Sequence, residues 1–146
     1  MQGNKGNSQL TASTIMLVDD EPVMLDIVQA LLEEEGYQRF IKVNHSPYAI
    51  DRMVETKPDL LLLDLDMPEV DGFEVLEKVR QHEKYHHLPV IILTASEDPT
   101  SKLKALELGA TDFLSKPVDP SELALRVRNT LTAKAYQDQL AYYDSL

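Results

Sequence analysis

Leu60-Leu61-Leu62-Leu63-Asp64-Leu65-Asp66-Met67-Pro68 is the stretch that decides the fold of this chain. Its four leucines are continuously apolar, the pattern of a strand buried on both faces, whereas a strand with one wet face alternates. The apolar run ends abruptly at a carboxylate, and a helix is expected from about Asp71.

The same unit recurs on both sides of it. Ile15-Met16-Leu17-Val18 runs into Asp19-Asp20-Glu21-Pro22, after which Val23, Ile27, Ala30 and Leu31 fall at helical spacing. Gly36 stops that helix, Phe40-Ile41-Lys42-Val43 suits a second strand, and Ser46-Pro47 opens a helix towards Lys57 that Pro58 breaks. Pro89-Val90-Ile91-Ile92-Leu93 ends at Thr94-Ala95-Ser96, and the helix over 101–108 is closed by Gly109. Thr111-Asp112-Phe113-Leu114 then ends at Ser115-Lys116-Pro117, and a last helix starts near Pro120-Ser121 and runs towards Leu146. Five strand-helix units in succession imply an α/β domain with a doubly wound parallel sheet, because each right-handed crossover lays its helix on a face. Ligands bind such sheets at the carboxyl ends of the strands. The residues to inspect are therefore Asp19, Asp20, Asp64, Thr94 and Lys116.

Composition narrows the possibilities. The 146 residues suit one domain with some tail, and a net charge of -11 opposes binding to a phosphate backbone, so nucleic acid is not expected as a partner of this segment. The absence of cysteine removes disulfides, thiolate metal sites and cysteine nucleophiles, in keeping with a reducing, cytoplasmic setting. No apolar run approaches the roughly 20 residues that span a bilayer, so no membrane partner is expected. Residues 1–13 are polar and read as a disordered lead-in, residues 14–130 as the folded domain, and residues 131–146 as a helical extension.

Carboxylates crowded at one sheet edge repel one another and generally persist because a hard cation sits among them, with Mg2+ suited to oxygen ligands. A carboxylate oriented by that ion can attack a phosphoryl group and form an aspartyl phosphate. Positive charge and donors for the phosphoryl oxygens are then the main further requirement, and Lys116 and Thr94 supply them.

Over residues 14–130 the sequence resembles the response regulator receiver family of two-component signalling. The resemblance rests on Val18-Asp19-Asp20-Glu21-Pro22, Asp64 with Met67-Pro68 and Asp71-Gly72, Thr94-Ala95, and Lys116-Pro117, all in order at successive strand ends. It implies a flavodoxin-like strand order 2-1-3-4-5 and Asp64 as phosphoacceptor. It further implies Asp20 as direct Mg2+ ligand, Asp19 as support through water, and the backbone carbonyl of Asp66 completing the coordination. Thr94 and Phe113 would form the switch, the hydroxyl moving to the phosphoryl group and the ring turning inward, and the Lys116-Pro117 bond would be cis. The implied partners are a histidine kinase or phosphotransfer protein, and a second copy through helix 4, strand 5, helix 5 and the C-terminal helix. In this reading the chain is a phosphoacceptor switch and not itself an enzyme.

Each site residue has a plainer reading. Asp20 could cap a helix, Asp64-Leu65-Asp66 could be a polar loop, Thr94 a capping hydroxyl, Lys116 a solvated charge and Phe113 ordinary core. His82-Glu83-Lys84-Tyr85-His86 matches the zinc-protease pattern H-E-x-x-H, but it falls at a polar helix end without a third ligand. The enzymatic rival is an aspartyl-nucleophile phosphatase of the haloacid dehalogenase type, opposed by Pro68 and by an acidic pair that precedes the lysine instead of following it. An unphosphorylated scaffold and a dinucleotide-binding domain are weaker, the latter for want of G-x-G-x-x-G after the first strand. Finally, residues 138–146 resemble the segment that leads into GGDEF domains, which implies an output making cyclic di-GMP.

Overall fold

A computed structural model describes residues 9–146. Strands β1 (Thr14–Val18), β2 (Arg39–Val43), β3 (Leu60–Leu63), β4 (Val90–Thr94) and β5 (Asp112–Ser115) form one parallel sheet in the order β2-β1-β3-β4-β5. Between and after them run α1 (Pro22–Glu33), a 3-10 turn (Ser46–Tyr48) leading into α2 (Ala49–Thr56), α3 (Gly72–Gln81), α4 (Pro99–Glu107) and α5 (Pro120–Asp144). This is the doubly wound architecture the strand-helix alternation implies.

Alternation within each strand sends neighbouring side chains into two separate cores. Met16, Val18, Leu61, Leu63, Val90 and Ile92 pack on one face with residues of α2, α3 and α4, among them Met53, Leu76 and Ala105. Ile15, Leu17, Leu60, Leu62, Ile91 and Leu93 pack on the other with Leu25, Val28 and Leu32 of α1 and Leu123, Val127 and Leu131 of α5. The leucine run of β3 is thus shared between both cores, which is why it shows no polar position.

Several helix starts are fixed by carboxylates. Asp71, Asp98 and Asp119 accept hydrogen bonds from the backbone amides of Glu74, Thr100 and Ser121, satisfying donors that the first helical turn leaves free. Because Asp98 caps α4 and Pro99 fits its first turn, that helix starts two residues before the expected Ser101. Of the expected lead-in, residues 1–8 lie outside the described residues. Residues 9–11 form a helical turn in which Leu10 packs on the α1/α5 core, so that part of the lead-in is ordered by apolar contact.

The buried face of α5 ends at Leu131, and from residue 135 onward every side chain is exposed although the helix continues to Asp144. Its 25 residues make a rod of about 37 Å. Among the described residues no helix is long and apolar enough to cross a membrane.

Candidate functional site

Register brings the expected residues to one edge. Val18 pairs with Leu63, and Thr94 with Ser115, so the residues that follow β1, β3 and β5 emerge beside the end of β4. The ladder carries on past the strands: the Asp19 amide donates to the Val43 carbonyl at 3.1 Å, Asp64 to Val18 at 3.0 Å, and Lys116 to Thr94 at 2.9 Å. Backbone bonding therefore holds these residues in place before their side chains interact.

Asp19 and Asp64 are each 5% exposed and Thr94 is fully buried, while Asp20 is half-buried. Carboxylate oxygens of Asp19, Asp20 and Asp64 lie within 4.8 Å of one another. The Lys116 ammonium donates to Asp19 Oδ2 at 2.6 Å and stands 3.6 Å from Asp64 Oδ2 and 4.0 Å from Glu21. Asp19 Oδ1 also accepts from the Glu21 amide at 2.9 Å, and Asp64 Oδ1 from the Asp66 amide at 3.4 Å. The Lys116-Pro117 bond is cis, as the resemblance implies.

The electrostatics follow from this crowding. Burial pushes the Asp64 carboxyl above its ordinary range; Lys116 opposes the shift, Asp19 adds to it, and the Thr94 hydroxyl and Asp66 amide favour the anion. For Lys116 burial works to lower the pKa, but the hydrogen bond to Asp19 and the charges of Asp64, Asp19 and Glu21 together raise it. The lysine is held charged. Three carboxylates and one ammonium leave a formal charge of -2, and the remaining donors are all oxygens, a set that fits a hard divalent cation.

Gly72 gives a reason for a residue that the motif alone leaves unexplained. A Cβ there would lie 2.2 Å from the Asp64 carbonyl oxygen and 2.6 Å from Leu65 Cα, so α3 can start against the loop only without a side chain. Its amide donates to the Leu65 carbonyl at 3.0 Å, closing the base of that loop.

Other expected residues stand a little apart. Asp66 is exposed in the loop after β3. Phe113 pairs with Ile92, is partly buried against the α2/α3/α4 core, and has the Lys102 ammonium 5.6 Å from its ring centroid. Asp20 caps nothing: α1 has Glu21 at its cap position, without a side-chain bond. The histidines of the H-E-x-x-H match do not share a helical face, because His82 is extended at the end of α3. Among the described residues the one group of three or more metal-competent side chains is Asp19, Asp20 and Asp64. Sequence reasoning missed Ser46 and Arg80, whose partners are long-range carbonyls that no local motif marks.

Comparison with known proteins gives the following. Residues 15–128 match the family model described as response regulator receiver domain. Response regulator Rre1 of Synechocystis is 38% identical over 118 residues, covering 81% of this chain and 51% of its own length, so the chain spans about half of that relative. The receiver domain of a signal transduction histidine kinase from Syntrophus aciditrophicus is 34% identical with a TM-score of 0.77, covering 84% of this chain and 92% of the other. The Mn(2+)-bound form of response regulator Rcp1 is 27% identical with a TM-score of 0.68, covering 80% and 90%.

Proposed function

Since the chain belongs to the response regulator receiver family, whose domains are phosphoacceptors in two-component signalling, we propose that Asp64 accepts the phosphoryl group. The observation that carries this is the buried Asp64 carboxylate, set between the Lys116 ammonium at 3.6 Å and the Asp19–Asp20 pair at the sheet's carboxyl edge.

In the proposed reaction an Asp64 oxygen attacks the phosphorus of a phosphohistidine on a histidine kinase or phosphotransfer protein. The P–O bond forms as the P–N bond breaks, and the imidazole leaves with the bonding pair. Asp20 and Asp64, with the Asp66 backbone carbonyl, would hold Mg2+, and Asp19 would support it through water. When bound, Mg2+ supplies positive charge to the phosphoryl oxygens and lessens repulsion among the carboxylates. Lys116, held charged beside Asp64, pairs with a phosphoryl oxygen, and the Thr94 hydroxyl donates to another. As Thr94 moves to that oxygen, Phe113 on the adjacent strand turns inward, which alters the surface of α4, β5 and α5. The Mn(2+)-bound Rcp1 structure supports a divalent ion at a site of this fold.

Residues 14–130 act as the receiver and residues 131–146 as a helical linker, supported by the exposure of α5 beyond residue 134. A cytoplasmic regulator would pair with a second copy through α4, β5, α5 and the linker. The linker would pass the change to a GGDEF output making cyclic di-GMP, a reading supported by the resemblance of residues 138–146. A natural reading frame that continues past Leu146 into a DNA-binding domain would refute this output.

Intact mass after incubation with acetyl phosphate and Mg2+ tests the core proposal. One added phosphoryl group in the wild type and none in Asp64→Asn is the expected result. Equal gain in both would overturn it.

A further inference from the structure

The loop between β3 and α3 carries the backbone carbonyl of Asp66, and its two halves are held differently. In the first half Leu65 and Met67 are buried in the core, the Asp66 amide is bonded to Asp64 Oδ1, and Leu65 accepts from the Gly72 amide. In the second half Pro68 and Glu69 are exposed, and Glu69 has φ 66, a left-handed conformation that a residue with a Cβ adopts only when neighbours enforce it.

Ser46 ties this half of the loop to a different part of the chain. It sits in the 3-10 turn between β2 and α2, is 4% exposed, and donates its hydroxyl to the Pro68 carbonyl at 3.2 Å across 22 residues. A hydroxyl this buried would cost free energy without a partner, so the bond fixes both groups at once. Among the described residues the other side-chain hydrogen bond or ion pair to residues 68–69 is the exposed His45–Glu69 pair at 3.9 Å, a weak tie in water.

We propose that Ser46 is a positioning residue for the metal site, holding the β3–α3 loop at Pro68 so that the Asp66 carbonyl two residues earlier is presented to Mg2+. The inference rests on the reading of the acidic cluster as a Mg2+ site. It adds a residue that touches neither the ion nor the phosphoryl group. A divalent ion tolerates little misplacement of its oxygen ligands, Mg2+ least of all, so slack in this loop reads out as lost affinity.

The test is calorimetric titration of the unphosphorylated full chain with MgCl2 at constant ionic strength, beside urea unfolding in EDTA. Ser46→Ala removes the donor, and Ser46→Cys, kept reduced, retains a γ atom at that position while weakening the donor, in case the alanine variant folds poorly. Both variants are expected to bind Mg2+ about five-fold more weakly than the wild type, the scale of one neutral hydrogen bond. A merely structural serine would lower the urea midpoint and leave the affinity of the folded protein unchanged. Mg2+ affinity in a folded variant equal to that of the wild type overturns the inference. A wild type that binds no Mg2+ defeats the metal reading itself, and the two failures are thereby distinct.

Discussion

The two edges of the sheet both bury charge, and they do so in opposite ways. At the amino edge the Arg80 guanidinium donates to the Gly109 carbonyl through Nε at 3.0 Å and Nη2 at 2.7 Å. Its Nη1 donates to the carbonyls of Leu88 at 2.6 Å and His86 at 3.2 Å. Burial lowers the arginine's pKa, but four hydrogen bonds to three neutral carbonyl oxygens keep the cation solvated by protein. At the carboxyl edge three carboxylates converge on one ammonium, and like charge is left without sufficient compensation. The saturated edge is scaffold, tying α3 to the chain ahead of β4 and β5. The unsaturated edge is where a ligand has something to gain.

If that contrast is right, removing a buried charge should shift stability in opposite directions at the two edges, whereas a steric change to the backbone frame should cost stability at either. The largest loss is expected where the frame itself touches the site: Gly72→Ala forces its Cβ into the Asp64 carbonyl and should cost about 4 kcal/mol by urea unfolding, with loss of phosphorylation. Arg80→Ala leaves the carbonyls of Gly109 and Leu88 without their donor. A cost of about 3 kcal/mol in the same measurement, with Mg2+ affinity of the folded fraction retained, would mark it as scaffold.

The carboxyl edge should respond the other way. Because burial raises the Asp64 pKa in the folded state, the native protein holds that proton to higher pH than the unfolded chain does. The stability associated with this group is fully present below the unfolded carboxylate range of about pH 4 and is lost as pH rises through the folded pKa. In EDTA at neutral pH, Asp64→Asn should therefore have a higher urea midpoint than the wild type, with the advantage fading towards low pH. A loss of stability at pH 7 would show that the carboxylate is well compensated after all. The smallest effect is expected from deleting residues 136–146, all exposed, which should change stability by less than about 0.5 kcal/mol. A larger loss would place those residues within the folded unit.

How much of this was legible in the sequence depends on the range over which each feature is determined. The strand ends were legible because an apolar run that stops at polar residues is a local signal, and Asp19, Asp64, Thr94 and Lys116 all lie at such ends. Strand register then brings those ends together without further information. The start of α4 lies two residues before the expected Ser101, because the Asp98 carboxylate caps it and Pro99 fits its first turn. Ser46 and Arg80 were not legible at all: their partners are backbone carbonyls 22 and 29 residues away for Pro68 and Gly109, and a carbonyl has no letter in a sequence. Residues 9–11 fall within a polar stretch, 1–13, that reads as lead-in, yet Leu10 finds an apolar surface that exists only after α1 and α5 have packed.

The central claim is that Asp64, and not Asp19 or Asp20 in the same cluster, becomes phosphorylated. Borohydride reduces an acyl phosphate to the alcohol and so converts a phosphorylated aspartate to homoserine, which peptide mass spectrometry can locate. After treatment with acetyl phosphate and Mg2+, the account predicts homoserine at position 64 alone. Homoserine at position 19 or 20, with position 64 unmodified, would contradict it.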